Sequence, residues 1–254
     1  MAADAVLLLH GQPGSARDWD GVVEALGPRV RAVAIDRPGW DGHRAPSDLA
    51  GNAAAAVAAI DGGELGRVTV VGHSLGAAVA AWLAIEHQDR VASLVLVSPA
   101  ANSASLGWID AVLAAPIAGS LASAAALSSA GLALAAPPLR RRIADGLGLD
   151  ESYLGSSSRG LLTPRAWRAF VGEQRMLVRE LPRLERRLSE ISVPTTIVSG
   201  SADKVVPVAA AQALVRRISD SKLVVVAGAG HLLPQRHPRR VASLILEAGG
   251  ALES

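Results

Sequence analysis

Ser74 stands in the run Gly72-His73-Ser74-Leu75-Gly76. The apolar, β-branched stretch Arg67 to Val71 comes before it and an alanine-rich stretch with helical spacing follows, so the serine is placed on a strand-to-helix turn. Such a turn forces a strained backbone, demands small neighbours and holds Oγ clear of the chain, as a serine nucleophile requires. The pattern alone arises by chance in about one chain in five of this composition, so its context has to carry the reading.

A serine hydroxyl is a poor nucleophile at neutral pH and needs a base, and the base needs an acid that fixes its tautomer and stabilises the imidazolium. Six histidines are available. His231, in Gly228-Ala229-Gly230-His231, follows the last apolar run, which places it at the same sheet edge as Ser74. His237 precedes Pro238 at the start of a final helix, and His73 occupies the turn's variable position with its side chain pointing away from Oγ. His87 ends a helix, where a cationic ring suits the dipole. His10 and His43 have weaker placements. Among the acids, Asp203 lies in the turn Ser199 to Pro207 after the preceding strand. Asp36 also ends a strand, but Asp36-Arg37-Pro38-Gly39 reads as an ordered turn with Arg37 as partner, and Asp220 falls at the opposite sheet edge. The chain order is then serine, acid, histidine.

Acyl transfer passes through an oxyanion that needs donors already aimed at it. The Leu75 N–H, directly after the serine, supplies one. The loop His10-Gly11-Gln12-Pro13-Gly14-Ser15 after the first strand should supply the second, assigned to the Gln12 N–H because Pro13 cannot donate.

The elements that must position these groups can be read from periodicity. Strand-length apolar runs occur at Ala5 to Leu9, Val30 to Ile35, Arg67 to Val71, Val91 to Val97, Thr195 to Ser199 and Lys222 to Val226. Helical segments alternate with them: Ser15 to Leu26, Leu49 to Ile60, Leu75 to His87, Ala209 to Ile218 and Arg239 to Leu246. Alternation with near-continuous apolar strands predicts an α/β fold, a doubly wound and mostly parallel sheet with helices on both faces. The alternation breaks over 100–191, predicted to be a helical lid inserted in a core formed by 1–99 and 192–254. From Ala111 to Leu139 no residue is charged, a length compatible with a membrane span. Pro116, Gly119, Gly131 and Pro137-Pro138 interrupt it, so an apolar lid packed over the sheet edge is expected instead. Pro164 to Leu188 is arginine-rich and amphipathic, with most arginines on a solvated face. Trp108 and Trp167, both in the lid, are candidates for lining a substrate pocket.

Composition narrows the function further. The 254 residues are 50% hydrophobic and 19% charged, enough for one full core. Net charge is +2, but the arginines are interspersed with acids, which argues against nucleic acid as a partner. The absence of cysteine removes thiol nucleophiles and zinc-thiolate sites. No phosphate-binding loop or metal-ligand spacing occurs, so neither cofactor nor metal is expected. The partner is a small-molecule substrate, and membrane association is not expected. Met1-Ala2-Ala3-Asp4 leads straight into a short apolar run without a basic region, which reads as cytoplasmic.

Taken in order, the His10 to Gly14 loop, Asp36-Arg37-Pro38-Gly39, the Ser74 turn, the Asp203 turn and His231 resemble the α/β-hydrolase family, over almost the whole chain. The resemblance implies Ser74 as nucleophile, His231 as base, Asp203 as orienting acid and the Gln12 and Leu75 N–H groups as oxyanion donors. A serine at the turn argues against the aspartate-nucleophile dehalogenases and epoxide hydrolases of the same fold. Two departures stand out. Few residues precede Val6, so a sheet of about six strands without the family's first hairpin is expected, and Gly39-Trp40-Asp41-Gly42-His43 differs from the common Gly-x-Gly-x-Ser. An esterase acting on an apolar ester is the reading the lid composition favours. A carbon-carbon bond hydrolase or related lyase shares the triad, with Arg159, Arg168 or Arg175 available for a substrate carboxylate. A non-catalytic binding protein on the same fold is the third reading.

Overall fold

A computed structural model describes residues 5–250. Six strands form one sheet in the order β2-β1-β3-β4-β5-β6, and every neighbouring pair is parallel. They are β1 (Ala5–Leu9), β2 (Arg31–Ile35), β3 (Val68–His73), β4 (Val91–Val97), β5 (Thr195–Gly200) and β6 (Ser221–Val226). Each expected strand is present, with ends shifted by at most two residues. The central strands β1, β3, β4 and β5 are almost wholly buried, and this is why their sequences carry apolar runs instead of alternation. The edge strands β2 and β6 are only partly buried and accept Arg31 and Lys222.

Helices cover both faces. On one side α2 (Leu49–Gly62), α3 (Leu75–Glu86) and α9 (Val208–Val215) share a core with Leu7, Leu9, Val70, Leu94 and Ile197. On the other, α1 (Asp20–Leu26) and α11 (Pro238–Ala248) close over Val6, Leu8, Val71, Val95 and Val198. Alternate residues along β1 thus feed opposite cores, the two-residue period of a strand. Helix α3 is buried from Leu75 to Ile85. Its alanines let it lie close on the sheet: a methyl group on Gly76 would meet the Leu9 carbonyl oxygen at 2.2 Å.

Between β4 and β5 lie five helices: α4 (Trp108–Ala114), α5 (Ala118–Ala135), α6 (Pro137–Leu147), α7 (Glu151–Leu161) and α8 (Pro164–Arg187). Pro116 and the Pro137-Pro138 pair fall at helix boundaries, where a missing N–H does least harm. The uncharged stretch is therefore broken into helices. It does not pack over the sheet edge as expected: α5 rests on α7 and α8, with α4 and α6 beside it. Helix α8 does reach the core, burying Met176, Leu177, Leu181 and Leu184 against α3. A short helix, α10 (Leu233–Arg236), follows the loop after β6.

Candidate active site

Ser74 caps the N-terminus of α3 with φ 53° and ψ −118°, a left-handed backbone that costs a non-glycine residue on the order of 1–3 kcal/mol. The strain is held from both sides. Ser74 N–H donates to the Val97 carbonyl at 2.9 Å, and the Ser74 carbonyl accepts from Ala100 N–H at 3.1 Å. Leu75 is the first residue of α3, so its N–H has no acceptor within the helix and points out of the helix end.

The loop after β1 lies against this turn. A methyl group on Gly11 would come within 3.1 Å of Ser74 Cβ, so Gly11 permits the close approach of this loop to the serine. A network anchored by Arg37 holds the loop's shape. Arg37 Nε donates to the His10 carbonyl and Nη2 to the Gly11 carbonyl, both at 2.8 Å. Arg37 N–H donates to His10 Nε2 at 3.0 Å. Arg37 Nη1 pairs with Glu173 of α8, and neither side chain is more than 1% exposed. Arg37 is therefore not the partner of Asp36, whose Oδ1 accepts instead from Ala16 N–H at 2.7 Å. Burial pushes the Glu173 pKa up and the Arg37 charge opposes that shift.

Across the sheet rim, His231 Nδ1 and Asp203 Oδ2 are 2.8 Å apart. Asp203 Oδ1 accepts from the N–H groups of Val205 (2.8 Å) and Val206 (2.9 Å), which aims the other oxygen at the ring. Burial works against the Asp203 charge, but His231 and these backbone donors outweigh it and hold the pKa below its usual value. The carboxylate is closed to solvent while the imidazole is 14% exposed, so the ring's far edge is open.

His73 joins the two halves. Its Nε2 lies 3.0 Å from the His231 carbonyl oxygen and its ring centroid 5.0 Å from that of His231. Burial, and then the nearby His231, lower its pKa to about 3. Burial followed by the Arg37 charge likewise lowers His10 well below the usual value. Both rings are neutral at pH 7. His43 is exposed near Asp41, His87 caps α3, and His237 caps α11 at its start.

A cavity of about 400 Å³ opens between the loop after β1 and the α6–α8 helices. Pro13 and Gly14 from that loop and Leu232, next to His231, form one side. Leu147, Leu154 and Leu161 form an apolar wall. Neither Trp108 nor Trp167 lines it. Trp108 is 76% exposed, and Trp167 is turned to donate to the Leu161 carbonyl at 2.9 Å. The aromatic residues at the cavity are Trp40 and Tyr153. Nor do the suggested arginines serve it: Arg175 is tied to the carbonyls of Ala114, Ala115 and Pro116 and to Ser120 Oγ, whereas Arg17 and Arg165 reach the wall.

Two residues here escaped the sequence reading. Asp18, 7% exposed, accepts from Tyr153 Oη at 3.0 Å, and burial raises its pKa to about 6. Glu173 of α8 is the other, fully buried beside Arg37. A signal for it existed: Ala169, Glu173, Leu177, Leu181 and Leu184 follow helical spacing, so the carboxylate sits on the apolar stripe of α8.

This chain belongs to the alpha/beta hydrolase family, whose model matches residues 6–244. It is 28% identical, over 96% of its own length and 87% of the other's, to a 2-hydroxy-6-oxononadienedioate/2-hydroxy-6-oxononatrienedioate hydrolase of Pseudomonas putida. Similar solved structures include an esterase of Thermogutta terrifontis (TM-score 0.70, 23% identity, 98% of this chain and 90% of that one). The epoxide hydrolase CorEH is similar at TM-score 0.76 and 21% identity, covering 98% and 92%.

Proposed function

We propose that the protein is a serine hydrolase of the Ser74-His231-Asp203 type, acting on a small ester with an apolar portion through an acyl-enzyme. The observation that carries this reading is the His231–Asp203 contact at the rim where strained Ser74 emerges. Asp203 holds Nδ1 protonated, which leaves Nε2 as a base. Ser74 Oγ attacks the ester carbonyl while His231 takes its proton, and the oxyanion rests on the Gln12 and Leu75 N–H groups. His231 then protonates the leaving alcohol, and water activated by the same ring releases the acid. The residues 100–191 act as a lid, and its wall of Leu147, Leu154 and Leu161 accommodates the apolar portion.

A second reading, hydrolysis of a carbon-carbon bond next to a ketone, is favoured by similarity to most of the Pseudomonas putida hydrolase and by the placement of Arg17 and Arg165 at the cavity. The test is labelling by a fluorophosphonate probe with mapping of the modified residue. Label on Ser74, lost in Ser74→Ala and much reduced in His231→Ala, supports the mechanism; no label on the wild type overturns it. Turnover of short nitrophenyl esters separates the esterase from the rival, which should cleave a vinylogous diketone and leave esters intact.

A further inference from the structure

The outer face of α5 is the feature of this molecule that the hydrolase reading does not use. The helix has 18 residues with mean hydropathy 1.4, among the described residues the one helix long and apolar enough to cross a bilayer, yet only five of its residues are buried. Its buried residues, Gly119, Ser123, Leu127, Gly131 and Leu134, recur at intervals of three and four and form the stripe packed on α7 and α8. At about 100° per residue, Ile117, Leu121 and Leu132 fall within about 60° of one another on the opposite side. They are 77%, 68% and 63% exposed. Nothing charged interrupts the sequence from Ala111 to Leu139. A solvent-facing helix ordinarily carries its charges on such a face, so a large uncharged one marks a contact.

We infer that this face docks on the surface of a lipid bilayer containing anionic headgroups. Three observations select that occupant. The residues at its ends have the chemistry of a membrane interface. Trp108, with Ile109 and Val112 on the same side, is exposed on α4, the helix that precedes α5 and packs against it. Arg140, Arg141 and Arg142 follow its C-terminal end, and Arg142 is exposed with no ion pair among the described residues. The charge of the whole segment has the matching sign: 100–191 contains eleven arginines and eight carboxylates, more positive than the chain as a whole at +2. Finally, a second copy is a poorer fit, since a two-fold contact through α5 would bring two positively charged segments together.

The packed stripe also fixes the mode of contact. To span the bilayer, α5 would have to leave α7 and α8, where a leucine side chain of Leu162 already fills the space over Gly131 at 2.8 Å from an added methyl. It therefore lies in the interface with its outer side in the headgroup and upper acyl region. Since α5 packs on α6 and α7, whose Leu147, Tyr153 and Leu161 line the cavity, docking puts that cavity about one helix diameter, roughly 10 Å, from the lipid. This departs from the expectation, based on the broken apolar run, that no membrane is involved.

The experiment is co-sedimentation of the full chain with vesicles of phosphatidylcholine alone and of phosphatidylcholine with phosphatidylglycerol. The wild type should pellet with the anionic vesicles, several-fold less with the neutral ones, and less again as salt is raised. Leu121→Asp with Leu132→Asp should weaken binding by at least about tenfold, while Val225→Asp, on β6, should not. Circular dichroism and melting temperature check that the variants are folded. Independently of those variants, vesicles should shift Trp fluorescence to the blue in the wild type and much less in Trp108→Phe. Failure to pellet with either composition overturns the inference. So does binding that survives the double substitution, or a wild-type dimer that the double substitution converts to monomer.

Discussion

Arg37 and Glu173 lie 136 residues apart in sequence and meet as an ion pair with neither side chain in contact with water. One is in the turn after β2 and the other on α8, so a helix of the 100–191 segment holds the residue that supports the His10 and Gly11 carbonyls. The geometry of the loop beside Ser74 therefore depends on a segment inserted between β4 and β5. A buried pair of this kind adds little net stability over apolar residues of the same volume, but removing one partner leaves a bare charge.

Glu173→Gln should accordingly cost about 3 kcal/mol or more of unfolding free energy, read from denaturant midpoints at constant slope. Arg37→Lys should fail to restore the site even if it folds, because one ammonium cannot serve two carbonyls and a carboxylate with the fixed fork of a guanidinium. If the loop is an oxyanion site, kcat falls more than KM rises in both variants. An unchanged kcat in a folded Arg37→Lys enzyme would show that the loop keeps its shape without the fork.

Asp203→Asn should fold normally and lose about 10³–10⁴-fold in kcat. The amide oxygen can keep the Val205 and Val206 N–H donors, which turns its NH2 group toward His231 Nδ1. The ring proton must then sit on Nε2, where, on the proposed mechanism, it would block acceptance of the serine proton. Steady-state kinetics beside a melting curve check this, and near-normal kcat would assign the orienting role to another acid.

Asp18 gives a pH dependence of stability. Its pKa of about 6 in the fold lies above the 3.8 of a free aspartate, so between these values the folded protein holds the proton more tightly than the unfolded chain. Stability from this group is present at pH 4 and is lost as pH rises through about 6, a change on the order of 2–3 kcal/mol. Asp18→Asn, which resembles the protonated form, should gain on the wild type between pH 4 and pH 7 in urea midpoints. Parallel curves would contradict the assignment.

Gly76→Ala should destabilise by about 3 kcal/mol or more, because the added methyl meets two backbone carbonyls, of Leu9 and His10, at 2.2 and 2.6 Å and no rotamer can relieve it. Gly62→Ala, at the end of α2 with open space around it, should instead be neutral or gain about 0.5–1 kcal/mol. Thermal melts of the pair distinguish close packing of α3 on the sheet from a general intolerance of alanine.

Strand and helix order were legible in the chain because burial on both faces imposes apolar runs, and helices covering the sheet impose a 3.6-residue period. The turn at Ser74 was legible too, since its strained backbone restricts the residues on either side. The position of α5 was not: an alanine- and serine-rich helix has no marked polar side, and only its neighbours decide which stripe is covered. The same holds for the cavity wall, where Tyr153 and Leu154 stand in place of Trp108 and Trp167.

The residue types and spacing by themselves determined a parallel α/β sheet, a serine on a strained strand-to-helix turn, and an acid and a histidine following later strands. Those features rest on local backbone geometry and on periodic burial, both of which leave a pattern in a single chain. Only the tertiary structure decided that Arg37 turns from Asp36 to Glu173, that Asp18 meets Tyr153, and that the uncharged face of α5 is left open. Each is a contact between segments brought together by the packing of the whole, and the energy of such a contact depends on partners that no local pattern names.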